Sequence, residues 1–202
     1  MDALIELSYW GIGFEIITKD FDESKDKEKI FENDRYEIYA IKVKHSVPTV
    51  GYCFKEKDTW NIDVKKAKKF NLEGKQLREI KEKGRIKVKN KTIRIEQIAK
   101  KRLGRKIVYS GDTEPCKELF DMAKEADILI HDGTFVEIEE SLERPHSSAV
   151  EIAKLSKKYK IKKLILTHLS RRYKTTQEVF DAVKHIFKDV VIAEDLMKIT
   201  LK

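Results

Sequence analysis

The chain lacks the features that would place it in a membrane or in a disulfide-linked class. Its longest apolar run is far shorter than the ~20 residues that span a bilayer. Its first residues show no basic segment followed by an apolar stretch and a small-residue cleavage site. Its two cysteines, Cys53 and Cys116, stand far apart without a CxxC spacing, as expected of reduced thiols. The sequence therefore predicts a cytoplasmic protein.

Histidine is also scarce, with 5 in 202 residues. One of them, His185, falls inside a predicted helix, and we interpret it as structural. A single histidine at the end of a strand is usually a surface or hydrogen-bonded residue. Here, however, four histidines stand beside small or turn-forming residues at the ends of apolar runs, which together indicate a site. These four are His45, His131, His146 and His168.

The segment 106–115 shows the pattern most clearly. Lys106–Ser110 has strand character, and Gly111 permits a bend that places Asp112 at the carboxyl end of the strand. Ligands and metals gather at such ends, and imidazole with carboxylate suits zinc, manganese or iron. The sequence therefore predicts a metal site built from several strand ends. The same pattern recurs at 39–46, 127–134 and 163–170.

The order of elements predicts an α/β fold with helices packed on a sheet. From residue 104 onward, strands alternate with helices. The predicted strands there are 106–110, 127–131, 162–167 and 189–193, and the predicted helices are 115–125, 146–158 and 175–187. Upstream, the patterns predict a helix at 3–10, strands at 14–18, 35–44 and 49–54, a loop or hairpin at 20–34, a helix at 63–70 with Asp63 as its cap, and a hairpin of 85–88 with 92–95.

Positive charge is concentrated in one segment. Residues 55–106 contain 15 Lys and 5 Arg against 7 acidic residues, a balance of +13, whereas the whole chain totals +8. A basic segment on an acidic body is the pattern of a protein that grips a polyanion through one appendage. The alternative is a solvated charged helix and hairpin, since such compositions are common on stable surfaces.

Five motifs, taken in order, resemble those of ribonuclease Z, the tRNA 3′-processing endonuclease of the metallo-β-lactamase superfamily. The resemblance covers nearly the whole chain. The motifs are His45-Ser-Val-Pro-Thr-Val-Gly-Tyr, Tyr-Ser-Gly-Asp112-Thr, His131-Asp132-Gly-Thr, His146-Ser-Ser and Leu-Thr-His168-Leu-Ser-Arg-Arg172-Tyr. The resemblance implies the C-terminal half of an αββα sandwich, with a mixed sheet, helices on its outer face and a protruding basic arm.

The resemblance also implies a role for each site residue. Asp112 would bridge two zinc ions, or manganese, which activate a water; His45 would complete one metal site and His168 the other. His146 would face the scissile phosphate, oriented by Asp132, which stands where the family usually has Glu. Beside the last ligand, Arg172 is predicted either to contact a phosphate or to form a surface salt bridge.

The basic segment has a counterpart in the same family. Within a partial domain spanning 1–202, residues 55–102 are predicted to form an arm, and Lys57–Gly84 matches the position of the exosite that clamps the tRNA elbow. Precursor tRNA is therefore the predicted partner. The arm residues predicted to contact its phosphates are Lys75, Arg78, Lys81 and Lys83.

One family signature is absent. The His-x-His-x-Asp-His motif, which supplies four of seven metal ligands, does not occur, and the chain looks like the C-terminal portion of a ribonuclease Z. We therefore expect the isolated chain to be inactive and to associate, as a homodimer or with a missing N-terminal half. Two alternatives stay open: a non-catalytic tRNA-binding remnant, and another superfamily hydrolase such as an arylsulfatase-like or phosphodiesterase member.

Overall fold

A computed structural model describes residues 17–142 and 144–201. The strands are Lys27–Glu32 (β1), Tyr36–Val43 (β2), Thr49–Glu56 (β3), Thr59–Ile62 (β4), Arg85–Val88 (β5), Lys91–Arg94 (β6), Ala99–Arg102 (β7), Lys106–Tyr109 (β8), Ile128–Asp132 (β9), Leu164–Thr167 (β10) and Val190–Ile192 (β11). The helices are Val64–Lys69 (α1), Lys75–Lys83 (α2), Lys117–Ala123 (α3), Ile138–Ser141 (α4), Ala149–Lys158 (α5) and Thr176–Val183 (α6), with a 3₁₀ turn at Ile95–Gln97.

Seven strands form one mixed sheet in the order β1-β2-β3-β8-β9-β10-β11. Neighbours are antiparallel from β1 to β8 and parallel from β8 to β11. Since β3 runs opposite to both β2 and β8, strand β2 points in the same direction as β8, β9 and β10. The carboxyl ends of these four strands therefore lie along one edge of the sheet.

Helices α3, α5 and α6 cover one face of this sheet. The apolar side of α5 follows the helical repeat, with Ala149, Ile152, Ala153 and Ser156 all buried. Ser148 caps the helix by accepting a hydrogen bond from the Glu151 N–H. These side chains pack with those of α3 and α6 against the central strands in one hydrophobic core.

The opposite face of the sheet is also apolar. Its side chains alternate with the core-facing ones, so cross-strand neighbours form continuous rows. In one row Tyr52 pairs with Tyr109, which pairs with Ile130, and in the next Phe54 pairs with Ile107. Tyr52 and Tyr109 are 42% and 43% exposed. Tyr52 and Tyr109 thus give this face an exposed aromatic patch, whereas Ile128 and Ile165 of the same face are buried.

The segment between β3 and β8 has a small core of its own. Strand β4 pairs with β7, β5 pairs with β6, and apolar side chains from α1, α2 and the strands form a second buried cluster. Asp63 caps α1 by accepting from the N–H groups of Lys65 and Lys66, and α2 ends at Gly84, whose φ is +70°. The predicted arm, 55–102, overlaps the last two residues of β3.

The observed elements depart from the predicted ones in several places. The helix predicted at 146–158 begins only at Ala149, and α6 ends at Val183, so His185 lies beyond the helix in which it was predicted. Strands β4 and β7 and helix α2 were not predicted. The helix predicted at 3–10 lies outside the described residues, as does most of the strand at 14–18, whose residues 17 and 18 are not in a strand.

Both cysteines are free and buried, Cys53 on β3 and Cys116 just before α3. Burial raises the pKa of Cys53 to about 11 and also raises that of Cys116. Among the helices that the structure describes, none combines the length and the apolar character that crossing a bilayer requires.

Candidate metal and catalytic site

Four strand ends bring the predicted site residues to one edge of the sheet. His45 follows β2, Asp112 follows β8, Asp132 closes β9 and His168 follows β10. The turn after β8 uses Gly111 at a φ of +64°, which glycine adopts without steric cost. His168 also has a positive φ, +59°, which is uncommon for a residue with a side chain and is concentrated at functional sites.

Asp112 and His168 form the best-placed pair of metal ligands. The Nε2 atom of His168 lies 3.3 Å from Oδ2 of Asp112, and both side chains are more than two-fifths exposed. Two ligand atoms at about 2.0–2.1 Å from a tetrahedral zinc ion are separated by about 3.3 Å. The spacing of this pair therefore fits a shared ion, with the ligand atoms open to solvent.

The imidazole of His168 is also held in the tautomer that a metal ligand needs. Its Nδ1 lies 2.8 Å from the Thr134 hydroxyl, and that hydroxyl lies 2.7 Å from Oδ1 of Asp132. Because a hydroxyl has one proton and the carboxylate can only accept it, the Nδ1–H of His168 donates to Thr134. The Nε2 lone pair is left for an ion, an arrangement common among metal-binding histidines.

Asp132 is fully buried, and its hydrogen bonds give it a different role. It accepts four of them: at Oδ1 from the backbone N–H and the hydroxyl of Thr134, and at Oδ2 from the Thr113 N–H and His146 Nδ1. A carboxylate offers about four acceptor positions, so none is left for a metal. Asp132 is therefore a positioning carboxylate for His146, which it reaches at 2.7 Å although it is one methylene shorter than Glu.

His45 and His146 extend the row of imidazoles. The His146 ring stacks on His168 with 5.0 Å between centroids, and the His45 ring meets His146 edge-on at 5.0 Å. His45 Nδ1–H donates to the Pro145 carbonyl at 2.8 Å. In all three rings the Nδ1 atom is thus engaged by an acceptor, and Nε2 is the nitrogen left for chemistry.

Three side chains have ligand atoms within 4.8 Å of one another: Asp132, His146 and His168. This group differs from the predicted ligands His45, Asp112 and His168. The hydrogen bonds resolve the difference, since Asp132 has no free acceptor position and His146 is bonded to it. Asp112 and His168 remain the pair suited to an ion, and His45 lies beside His146 rather than in contact with that pair.

His131 shares its motif with Asp132 but points away from the site. It is fully buried and stacks on Phe120, with 5.5 Å between ring centroids. Its Nδ1 donates to the Asp132 carbonyl, and its Nε2 has no hydrogen-bond partner. Burial lowers the pKa of His131 to about 4, so this imidazole is neutral near pH 7.

The predicted substrate-binding residues lie in two places. Arg172 forms a salt bridge with Glu140 at 2.9 Å, so the salt-bridge alternative describes its state in this structure. The other four are exposed on α2, where three of them follow one another at intervals of three residues. These three are Lys75, Arg78 and Lys81, whereas Lys83 pairs with Glu79 at 2.8 Å.

Sequence reasoning missed the two threonines that organise the site. Thr113 and Thr134 are buried, and each donates to Asp132. The signal was present, since Thr113 follows Asp112 and Thr134 closes the His131-Asp132-Gly-Thr motif. A hydroxyl near a carboxylate and a histidine is a candidate for orienting both.

Comparison with known proteins supports the family. Residues 62–169 match the beta-lactamase superfamily domain. A ribonuclease Z of Nitrosopumilus maritimus is 36% identical over 205 residues, which cover 99% of this chain and 67% of the relative. A ribonuclease Z of Pyrococcus horikoshii is 34% identical over 205 residues, covering 100% and 65%. The chain thus spans about two thirds of the length of these relatives.

The fold agrees with this match. The crystal structure of the short form of human tRNase Z superposes with a TM-score of 0.53 at 22% identity, covering 90% of this chain and 49% of that one. At this identity the likeness shows the fold alone: a metallo-β-lactamase-type α/β sheet with helices on one face. Because long matches above 30% identity accompany it, the chain belongs to the ribonuclease Z family of the beta-lactamase superfamily.

Proposed function

We propose that this chain carries part of the active site of a zinc-dependent endonuclease that removes the 3′ trailer from precursor tRNA by phosphodiester hydrolysis. The observation that carries the proposal is the arrangement of the Asp132–His146 pair beside Asp112 and His168 at one sheet edge. Membership of the ribonuclease Z family supports the substrate.

Asp112, His168 and His45 would hold the metal, which we propose to be two zinc ions in the complete enzyme, with manganese as a substitute. Bound zinc would supply an activated water as the nucleophile. His146, with its Nδ1–H fixed to Asp132, presents Nε2 to the reacting phosphate. In its protonated form, whose positive charge the buried carboxylate stabilises, it would donate the Nε2 proton to the leaving 3′-oxygen and become neutral.

The basic segment supports tRNA as the substrate. Its exposed cations on α2 are separate from the site edge and are suited to phosphates rather than to base edges. We propose that residues 55–102 act as an arm that binds the tRNA away from the scissile bond.

A non-catalytic tRNA-binding protein is the second candidate. Among the described residues, Asp112 and His168 are the pair whose ligand atoms lie at the spacing of two ligands of one ion without being hydrogen-bonded to other residues, and one such pair makes a weak site. In this case residues 55–102 would bind tRNA, and no hydrolysis would take place at the site.

The apolar sheet face supports a partner. We propose that it associates with a second copy of the chain or with a missing N-terminal half, because apolar patches of this kind mark interaction surfaces. We propose the cytoplasm as the place of this association. A half bearing His-x-His-x-Asp-His would also supply further metal ligands.

Reconstitution tests the proposed activity. The chain alone, with zinc or manganese, should release no 3′ trailer from precursor tRNA, whereas adding an N-terminal half that bears the missing motif should produce cleavage just after the discriminator nucleotide. In the reconstituted protein, Asp112→Ala should abolish cleavage and reduce bound zinc. His146→Ala should slow it by roughly 10²–10⁴-fold with zinc content unchanged. Robust zinc-dependent cleavage by the isolated chain would contradict the proposed need for a second half, and tRNA binding without cleavage after reconstitution would favour the second candidate.

A further inference from the structure

A second arginine lies beside the catalytic edge, and no motif pointed to it. The guanidinium carbon of Arg144 lies over the Phe135 ring, 5.2 Å from its centroid, and that of Arg172 lies over the same ring at 5.1 Å. Phe135 in turn meets the His146 ring edge-on, with 6.4 Å between centroids. Two guanidinium groups, a phenyl ring and the catalytic imidazole thus form one continuous set of contacts.

The two arginines differ in how their charge is compensated. Arg172 is paired with Glu140, whose other carboxylate oxygen accepts from the Tyr173 hydroxyl at 2.7 Å. Among the described residues, none places a carboxylate within salt-bridge distance of Arg144, which is exposed. Of these two guanidinium groups, that of Arg144 is therefore the one whose charge no described carboxylate compensates.

The backbone around Arg144 is fixed by the site itself. The Arg144 N–H donates to the Ser141 carbonyl at 3.1 Å, and the Arg144 carbonyl accepts from the His146 N–H at 2.8 Å. The intervening Pro145 carbonyl accepts from His45. Stacking on Phe135 then restricts the side chain, because a cation over an aromatic face is held there by the ring quadrupole. The ordering cost of binding is thereby reduced.

We infer that Arg144 is a phosphate-binding residue of the active site, which contacts a backbone phosphate of the single-stranded 3′ end of the RNA next to the scissile bond. Phe135 is the platform that orients it, and Arg172, held by Glu140, supports that platform. The planar fork of a guanidinium binds two phosphate oxygens at once, which an ammonium group does not do. This inference rests on the proposed function, and it moves the predicted phosphate contact from Arg172 to Arg144.

Binding of a short RNA tests the inference separately from the arm. The probe is a fluorescent minihelix that carries an acceptor stem and a 3′ trailer but lacks the tRNA elbow, with anisotropy measured from low to high KCl. Arg144→Ala should weaken binding about tenfold at low salt, the loss of one charge-assisted contact. It should also reduce the slope of log affinity against log salt by about 0.7–0.9, the value of one phosphate.

Matched variants distinguish a phosphate contact made by Arg144 from a non-specific effect of positive charge on RNA binding. Arg35→Ala removes an equal charge just before β2, at the opposite end of that strand from His45, and should change neither quantity. Arg144→Lys should keep the slope but recover only part of the affinity. Phe135→Leu should weaken minihelix binding in the wild-type background and have a smaller effect in Arg144→Ala, because the two residues act together.

Equal behaviour of Arg144→Ala and Arg35→Ala would overturn the inference, as would additive effects of Phe135→Leu and Arg144→Ala. If the unmodified chain binds full precursor tRNA but not the minihelix, the inference fails while the proposed substrate stands. Binding of neither RNA would overturn both.

Discussion

Two aspartates at one sheet edge have opposite environments. Asp132 is buried and receives four hydrogen bonds, whereas the Asp112 side chain is 43% exposed and, in the described part of the chain, pairs with His168. We predict that Asp132→Asn lowers the free energy of unfolding by about 2 kcal/mol, since the amide group would face donors and leave them unpaired. Asp112→Asn should change it by less than about 0.5 kcal/mol.

Urea unfolding of the metal-free chain measures the stability of both variants. Zinc titration by calorimetry measures their metal binding, for which we expect the opposite order. Zinc binding should fall with Asp112→Asn and survive Asp132→Asn in the protein that remains folded. If Asp112→Asn proved the more destabilising change, the assignment of ligand and positioning carboxylate would be reversed.

His131 should make stability depend on pH. Its pKa is about 4 in the folded protein against 6.5 ordinarily, so the unfolded chain takes up the proton first. Above pH 6.5 there is no penalty, and as pH falls from 6.5 to 4 the folded state should lose on the order of 3 kcal/mol. His131→Leu should remove this component of the unfolding free energy.

Unfolding curves between pH 4 and 7 provide the measurement. His185→Gln is the matched control for the loss of one histidine, because His185 is exposed. Identical pH profiles for the wild type and His131→Leu would show that another group dominates.

At the residue scale, the sequence predicted which side chains follow strands at one sheet edge but not which of them contact one another. Strand–turn patterns placed His45, Asp112 and His168 at one edge, because parallel strand ends share an edge. The contacts that distinguish ligand from positioning residue come from Thr113 and Thr134 and depend on side-chain geometry. Arg144 lies in a loop with no periodic pattern, and only tertiary contact with Phe135 reveals it.

At the scale of elements, the apolar strands were easier to predict than the charged ones. Strand β7 reads Ala-Lys-Lys-Arg, and β4 reads Thr-Trp-Asn-Ile. Strand β7 has no apolar alternation, and β4 alternates over only four residues, with Trp60 and Ile62 packed on the small core. Helix α5 begins three residues later than predicted, because Ser148 acts as its cap and releases His146 and Ser147 into the loop that forms the site.

Helix α2 should carry much of the proposed tRNA affinity. Reversing the charge of its four cations should lower precursor tRNA affinity and flatten the salt dependence, because each neutralised phosphate contributes about 0.7–0.9 to the slope. Minihelix binding should be unaffected. The four positions are Lys75, Arg78, Lys81 and Lys83.

The control is a set of four lysines outside the basic segment. Their charges are reversed in the same way, and tRNA binding is measured by the same anisotropy titration. This set is Lys154, Lys157, Lys160 and Lys188, all exposed. Equal losses from the two sets would mean that tRNA responds to net charge rather than to α2. Loss of helical signal in the α2 variant would instead show that the cations support the fold of the segment.

At the scale of the whole molecule, the sheet face that carries Tyr52 and Tyr109 should govern association. Tyr52 and Tyr109 are cross-strand partners in its exposed part. Replacing them together by Glu and Lys should reduce self-association and hydrophobic-dye binding, because the charged pair replaces aromatic surface and can attract across the strands. Sedimentation over a range of protein concentrations measures the effect, with Val64→Glu on α1 as the control. A wild-type chain that stays monomeric and binds no dye would contradict this prediction.

The way in which the basic segment is attached to the sheet determines whether changes in this segment can affect the site. The chain leaves the sheet at Glu56 and returns at Arg105, whose carbonyl accepts from the Glu56 N–H at 2.8 Å. Gly104 approaches so closely that an added Cβ would lie 2.0 Å from the Glu56 oxygen. The chain therefore enters and leaves the basic segment at one point, between the adjacent strands β3 and β8. We therefore expect that the length and charge of this segment can be changed, down to a turn of about 2–5 residues, without moving the strand ends that hold the site.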